Sequence, residues 1–146
     1  MNLWQFAATF FYLGKLPFAP GSWGSLGALL LWIFLPLYYP LQLIVIIILF
    51  CIGVISSKKI ADIMNDHDPS EVVIDEAAGM CIALFMLPHN IAIYSTAFIL
   101  FRIFDIFKPS FIYRVQNLPG GWGIMLDDVV AGVFTLLICQ GLLTIL

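Results

Sequence analysis

Long apolar stretches separated by proline, glycine and polar residues predict an all-α fold of about six helices. The predicted helices cover residues 2–13, 23–35, 41–59, 69–87, 91–107 and 127–146. Segment 14–25 contains two prolines and three glycines, so it is expected to be irregular, with Ser22 or Ser25 capping the second helix. This segment is either an ordinary connector or a rigid loop whose backbone N–H groups face a ligand.

The first helix is predicted to be short and to lie in the membrane interface. Its polar residues share one helical stripe and comprise Asn2, Gln5, Thr9 and Tyr12.

The uncharged run of residues 77–101 is compatible with two topologies. A single crossing would place Asp75 and Asp105 on opposite sides of a membrane. A helical hairpin that turns at Pro88–Asn90 would return the chain to the side it left. The hairpin is preferred because it brings all the charged segments to one face.

Composition places these helices in a membrane. Of the 146 residues, 62% are hydrophobic and 10% are charged, and the mean hydropathy is +1.06. Soluble domains are about half apolar and about a quarter charged. The charges are confined to Lys15, residues 58–76 and residues 102–128, and Lys58 and Lys59 indicate the cytoplasmic end of the third helix. The length fits one membrane-embedded domain, residues 1–146.

Acidic residues border the apolar segments at three places. Residues 68–71 (DPSE) have the pattern of a capping box, which gives Glu71 a structural role. Asp75 and Glu76 lie beyond that cap and have no such local role. Asp127 and Asp128 follow the glycine-rich residues 120–123, where they indicate either a solvated helix start or a site.

Basic residues accompany one of these acids. Arg102, Asp105 and Lys108 are three residues apart on the fifth helix and are therefore neighbours on its surface. They form either an ordinary ion-pair ladder or part of a phosphate site.

The charged residues suit metal-assisted phosphoryl transfer to water if they share one face. Carboxylates without paired Cys or His favour Mg²⁺, with Mn²⁺ as a substitute. Arg102 and Lys108 are expected to hold a phosphate, with N–H groups of Gly21, Ser22 and Gly121 as further donors. The apolar surroundings imply a phospholipid substrate, and no basic surface for nucleic acid is present.

Four stretches together resemble the phosphatidylglycerophosphatase A family. They are residues 16–25 (LPFAPGSWGS), 75–80 (DEAAGM), 101–109 (FRIFDIFKP) and 120–132 (GGWGIMLDDVVAG). The resemblance implies an all-helical, Mg²⁺-dependent lipid phosphatase of the bacterial inner membrane, with its site on the cytoplasmic face. Such an enzyme removes the terminal phosphate of phosphatidylglycerophosphate to give phosphatidylglycerol.

Two sets of residues follow as candidates for this chemistry. The catalytic candidates are Asp75, Asp105 and Asp127. The metal-ligand candidates are Asp75, Glu76, Asp105 and Asp128. Which acid serves as base, nucleophile or ligand stays open, as does the oligomeric state. The competing interpretation is a small ion or proton transporter, which the absence of fixed charge inside the apolar segments disfavours.

Overall fold

The computed structural model describes residues 2–146, and within that range it contains helices and no strands. The helices are α1 (Leu3–Ala8), α2 (Pro20–Phe34), α3 (Tyr39–Met64), α4 (Ile74–Leu84), α5 (Ile91–Phe107), α6 (Ser110–Val115) and α7 (Gly121–Ile145). A single 3₁₀ turn, Leu13–Lys15, lies between α1 and α2. The all-α prediction is confirmed, and α6 is a short additional helix in the predicted connector.

Helix α4 is the centre of the bundle. It packs against α2, α3, α5 and α7, and all its residues except Glu76 and Ile82 are buried. Its 11 residues extend about 16 Å, which is too short to cross a hydrocarbon core of about 30 Å. The longer helices therefore surround α4 and shield it from the hydrocarbon core.

Glycines allow α4 and α7 to pack closely. A Cβ atom on Gly79 of α4 would lie 2.6 Å from the Asp128 carbonyl oxygen of α7. On the opposing helix, a Cβ atom on Gly132 would collide with the Gly79 carbonyl. Small residues at helix contacts are typical of membrane bundles.

Within residues 2–146, two helices, α3 and α7, are long and apolar enough to cross a membrane. Large apolar side chains of α3 point away from the protein. They include Leu43, Ile44, Ile47, Ile48, Ile52 and Ile55. Such a surface is costly in water and favourable against lipid, so the fold is that of a polytopic membrane bundle.

The predicted hairpin is also confirmed. Helix α4 ends at Leu84 and α5 begins at Ile91, with the Asn90 side chain accepting a hydrogen bond from the Ala92 N–H at 2.8 Å. The two helices contact each other, so Asp75 and Asp105 lie at the same end of the bundle.

The predicted start of the second helix is wrong. Helix α2 begins at Pro20, because proline at the first position of a helix loses no hydrogen bond. Its N-cap is Ala19, in a left-handed conformation, and makes no side-chain cap. Neither Ser22 nor Ser25 caps the helix, and the Ser25 hydroxyl instead donates to the Gly21 carbonyl at 2.9 Å.

The capping box of residues 68–71 is also absent. Helix α4 begins only at Ile74, and the Val72 N–H donates to the Pro69 carbonyl in a turn. The Val73 N–H donates to the Ala8 carbonyl at the end of α1, at 2.9 Å. This contact with α1 holds residues 69–73 outside the helix, so Asp75 and Glu76 lie in its first turn.

The last helix starts earlier than predicted. It begins at Gly121, so Asp127 and Asp128 occupy its second turn rather than its start. These aspartates are therefore not the solvated acids of a helix N-terminus.

Candidate metal and phosphate site

Five acidic side chains from three helices meet at one end of the bundle. Two come from the first turn of α4, one from the last turn of α5 and two from the second turn of α7. They are Asp75, Glu76, Asp105, Asp127 and Asp128, and we call them the acidic cluster. The structure thus brings together the five acids whose convergence the hairpin topology implied.

The acidic cluster contains two groups that could each hold a metal ion. In one group, carboxylate oxygens of Asp75, Asp127 and Asp128 lie within 4.8 Å of one another. In the other, those of Glu76, Asp105 and Asp128 do so. Asp128 belongs to both groups.

The cluster is buried, and part of it has no protein partner. The four aspartates are between 1% and 7% exposed. Among the described residues, buried oxygens of Asp75, Glu76 and Asp128 make no hydrogen bond. Burying a carboxylate without a partner is costly, so these oxygens fit a bound cation.

Two basic side chains contact the outer members of the cluster. Arg102 forms an ion pair with Asp105. The Lys108 Nζ atom lies 2.5 Å from an Asp127 oxygen and 3.8 Å from an Asp105 oxygen. Lys108 therefore connects the end of α5 to α7, and the three-residue ladder of the sequence is part of a larger site.

The protonation of Lys108 is strongly favoured by its surroundings. Burial alone lowers the pKa of Lys108, but the hydrogen bond with Asp127 and the charges of Asp128, Asp127 and Asp105 outweigh it. The net effect raises the pKa of Lys108 above its ordinary value. The side chain remains cationic across the physiological range.

The start of α2 lies against the cluster. A Cβ atom on Gly21 would lie 2.7 Å from an oxygen of Glu76 and 3.1 Å from the Arg102 guanidinium. Only glycine permits this approach without displacing those groups. The N–H of Gly21, at the second position of α2, has no acceptor within the helix. The Ser22 N–H is already engaged with the Ala19 carbonyl at 3.0 Å.

Gly121 has a different position. It packs against the backbone carbonyl of Val54 on α3, where any larger residue would collide. The structure gives Gly121 a role in the packing of α3 against α7.

Asp68, for which the sequence pattern predicts a helix cap, is a neighbour of the cluster. Although Asp68 is exposed by its accessible surface, the protein packed around it partly buries the carboxyl and raises its pKa. The charge of Asp75 raises this pKa further, and that of Lys108 lowers it. Its carboxylate also accepts a hydrogen bond from Gln116 at 3.4 Å. The position of Asp68 beside the cluster could not be predicted from the sequence, because it depends on where the turn of residues 69–73 folds.

Two cavities elsewhere in the described chain lack this chemistry. An apolar cavity of about 400 Å³ lies between α1 and α3, lined by residues including Trp4, Phe10 and Ile52. A polar groove of about 340 Å³ is lined by residues including Lys58, Asp66 and His67. Neither contains a member of the acidic cluster.

The donor set of the acidic cluster is that of a hard divalent cation. All its ligand atoms are carboxylate oxygens, which suit Mg²⁺ or Mn²⁺. Arg102 and Lys108 add positive charge beside those oxygens, which is what an anionic substrate requires. The arrangement can hold a cation and a phosphate next to each other.

Similar proteins were found by comparison of the sequence. The family model of phosphatidylglycerophosphatase A matches residues 6–143. The phosphatidylglycerophosphatase A of Escherichia coli is 41% identical over 138 residues, which are 92% of this chain and 80% of that protein. The Haemophilus influenzae protein of the same name is 36% identical over 124 residues, 82% of this chain and 76% of that protein.

A third relative has a different name. A putative phosphatidylinositol-3-phosphatase of Bacteroides thetaiotaomicron is 39% identical over 139 residues, which are 89% of this chain and 87% of that protein. No solved structure matches the chain significantly. The match of the family model over nearly the whole length is decisive: the chain belongs to the phosphatidylglycerophosphatase A family.

Proposed function

We propose that this protein is a lipid phosphatase that hydrolyses the terminal phosphate monoester of phosphatidylglycerophosphate to phosphatidylglycerol and inorganic phosphate. The observation that carries the proposal is the buried acidic cluster beside Arg102 and Lys108. Family membership and the names of two relatives agree with it. The apolar outer surface of the bundle supports a substrate that arrives through the membrane.

The acidic cluster is proposed to hold Mg²⁺, with Mn²⁺ as a substitute. Its ligands would come from Asp75, Glu76, Asp105 and Asp128. The bound ion would screen the phosphate oxygens and lower the pKa of a water molecule. The unpartnered buried oxygens of the cluster support this assignment.

The protein's own groups would orient the phosphate and move the proton. Arg102 and Lys108 would bind phosphate oxygens, and the free N–H of Gly21 at the start of α2 would donate a further hydrogen bond. One of Asp75, Asp105 and Asp127 would accept the proton of the attacking water or attack phosphorus itself. Asp127 and Asp105 have the contact with Lys108 that would stabilise their charged forms.

The site is proposed to face the cytoplasm from a bacterial inner membrane. Lys58 and Lys59 lie near the C-terminal end of α3, and Gly120 at the start of α7 packs against Lys58. Basic residues at the end of a membrane helix favour the cytoplasmic side.

The Bacteroides relative makes phosphatidylinositol 3-phosphate the competing substrate. Both lipids present a phosphate monoester beside a polyol, so Arg102 and Lys108 would suit either head group. Only a direct comparison of the two lipids separates them.

Phosphate release by the purified protein tests the proposal. The protein in detergent micelles is incubated with phosphatidylglycerophosphate or with phosphatidylinositol 3-phosphate, with Mg²⁺ and after chelation. We expect release from phosphatidylglycerophosphate that stops on chelation and returns with added Mg²⁺. Preferential release from the inositol lipid would replace the proposed substrate. Cation flux in proteoliposomes without any phosphate release would favour the transporter interpretation instead.

A further inference from the structure

The two metal-compatible groups of the cluster differ in every member except one. Asp75 and Asp127 belong to the first group, and Glu76 and Asp105 belong to the second. Asp128 supplies an oxygen to both. A carboxylate has two oxygens, and a single aspartate can therefore bridge two cations.

Unpartnered oxygens are present on both sides of Asp128. Within residues 2–146, the Asp75 Oδ1 atom of the first group and the Glu76 Oε2 atom of the second are buried without a hydrogen-bond partner, and so is the Asp128 Oδ1 atom. Asp75 is 6% exposed and Asp128 is 1% exposed, so water cannot readily form hydrogen bonds with their unpartnered oxygens. One cation in either group would leave an uncompensated carboxylate in the other.

The charge of the site supports the same conclusion. Five carboxylates face the two cations Arg102 and Lys108, so the formal charge is three negative units before any substrate binds. One divalent cation would leave the site negative, which would repel a phosphate monoester. Two would leave one positive unit, which would attract it.

We propose that the site holds two divalent cations, one among Asp75, Asp127 and Asp128 and the other among Glu76, Asp105 and Asp128, with Asp128 shared and Asp127 added to the four ligands proposed for a single ion. This inference rests on the proposed phosphatase function, which needs a cation but does not specify how many. Paired cations can stabilise both the attacking and the leaving oxygen of a displacement at phosphorus. The bridging position makes Asp128 the one acid on which both cations depend.

Titration of the metal-depleted protein with Mn²⁺ tests the inference without any turnover. The number of Mn²⁺ ions bound per chain is measured by equilibrium dialysis. Electron paramagnetic resonance detects magnetic coupling between neighbouring ions. We expect two ions per wild-type chain with a coupled spectrum. Asp127→Asn and Asp105→Asn should each retain one uncoupled ion, and Asp128→Asn should lose tight binding of both.

Control variants separate loss of a ligand from loss of structure. Asp62→Asn removes an exposed carboxylate on α3, outside the cluster, and should keep two coupled ions. Asp75→Asn removes a different ligand of the first group and can replace Asp127→Asn if that variant does not fold. Glu76→Gln does the same for Asp105→Asn in the second group. Folding of each variant is checked by its elution profile in size-exclusion chromatography and by the midpoint of its thermal unfolding.

The outcomes separate this inference from the proposed function. A single ion per wild-type chain, with chelator-sensitive phosphate release intact, would overturn the two-cation inference and leave the phosphatase standing. Two coupled ions without release from any lipid phosphate would overturn the phosphatase and leave the paired site. If Asp128→Asn binds as many ions as the wild type, Asp128 is not a ligand shared by the two cations.

Discussion

At the residue scale, Lys108 is the side chain that ties the two sides of the cluster together. It ends α5 in a left-handed conformation and reaches Asp127 of α7 as well as Asp105 of its own helix. Removing it would leave Asp127 without its ion-pair partner. Lys108 is thus expected to affect both phosphate binding and stability.

We expect Lys108→Met to lower the free energy of unfolding by about 1–3 kcal/mol, the usual cost of an unsatisfied buried polar group. Because the folded-state pKa of Lys108 is raised, its contribution is fully present below the ordinary lysine pKa of 10.5 and is lost only as the pH rises through the folded value. The difference between wild type and Lys108→Met should therefore not decrease between about pH 7 and about pH 9. Denaturant unfolding in micelles measures it, and a difference that shrinks within this range would contradict the assignment.

At the scale of helices, the site depends on how closely α4 approaches its neighbours. Gly79 lies against Asp128 and Phe101, and Gly21 lies against Glu76 and Arg102. These contacts fix the distance between the carboxylates of different helices. A displacement of α7 would therefore separate Asp128 from the other acids.

Gly79→Ala tests this dependence. Its Cβ atom would lie 2.6 Å from the Asp128 carbonyl oxygen and 2.8 Å from the Phe101 ring, so the helices must shift. We expect a loss of about 1–3 kcal/mol in unfolding free energy, together with weaker Mn²⁺ binding. Gly141→Ala is the matched control, because a Cβ atom there meets nothing within 4 Å. Equal behaviour of the two variants would show that close packing at Gly79 does not position the site.

Tertiary contacts explain which helix boundaries could not be predicted from the sequence. Proline and glycine in residues 14–25 predict an irregular segment, whereas Gly24 packs inside α2 against Val73. Helix α4 starts later than its sequence pattern predicts, because the Val73 N–H donates to the carbonyl of Ala8, far away in sequence. Local propensity cannot register such tertiary contacts. The five acids were identifiable because they border uncharged stretches, but the pairing of Lys108 with Asp127 was not.

At the scale of the whole molecule, the acidic cluster lies at the opposite end of the bundle from the hairpin turn. The turn of residues 85–90 packs beside the start of α3, where the Tyr39 and Phe85 rings are 6.3 Å apart. The turn also contacts the late part of α7, where the Gln140 side chain donates a hydrogen bond to the Met86 carbonyl. The hairpin was predictable because only it places the charged segments on one face. The twofold grouping of the acids was not, because it requires side-chain positions from three helices.

Labelling of single cysteines tests this orientation. In a background without Cys51, Cys81 and Cys139, we expect Asp66→Cys to react with a membrane-impermeant maleimide only in inverted membrane vesicles. His89→Cys should react only in vesicles of native orientation, since both positions are exposed at opposite ends of the bundle. Detergent-solubilised protein serves as the control in which both react. Labelling of both positions from the same side would contradict the topology.

The central claim is that buried acids hold the cation that lipid phosphate hydrolysis requires, and Asp128 is the acid common to both groups. The most direct measurement is phosphate release from phosphatidylglycerophosphate by Asp128→Asn, with Asp105→Asn in parallel and Asp62→Asn as the control. We predict that both cluster variants remain folded in the membrane and release no phosphate at saturating Mg²⁺, while Asp62→Asn behaves as wild type. Near-wild-type release by Asp128→Asn and Asp105→Asn would contradict the account.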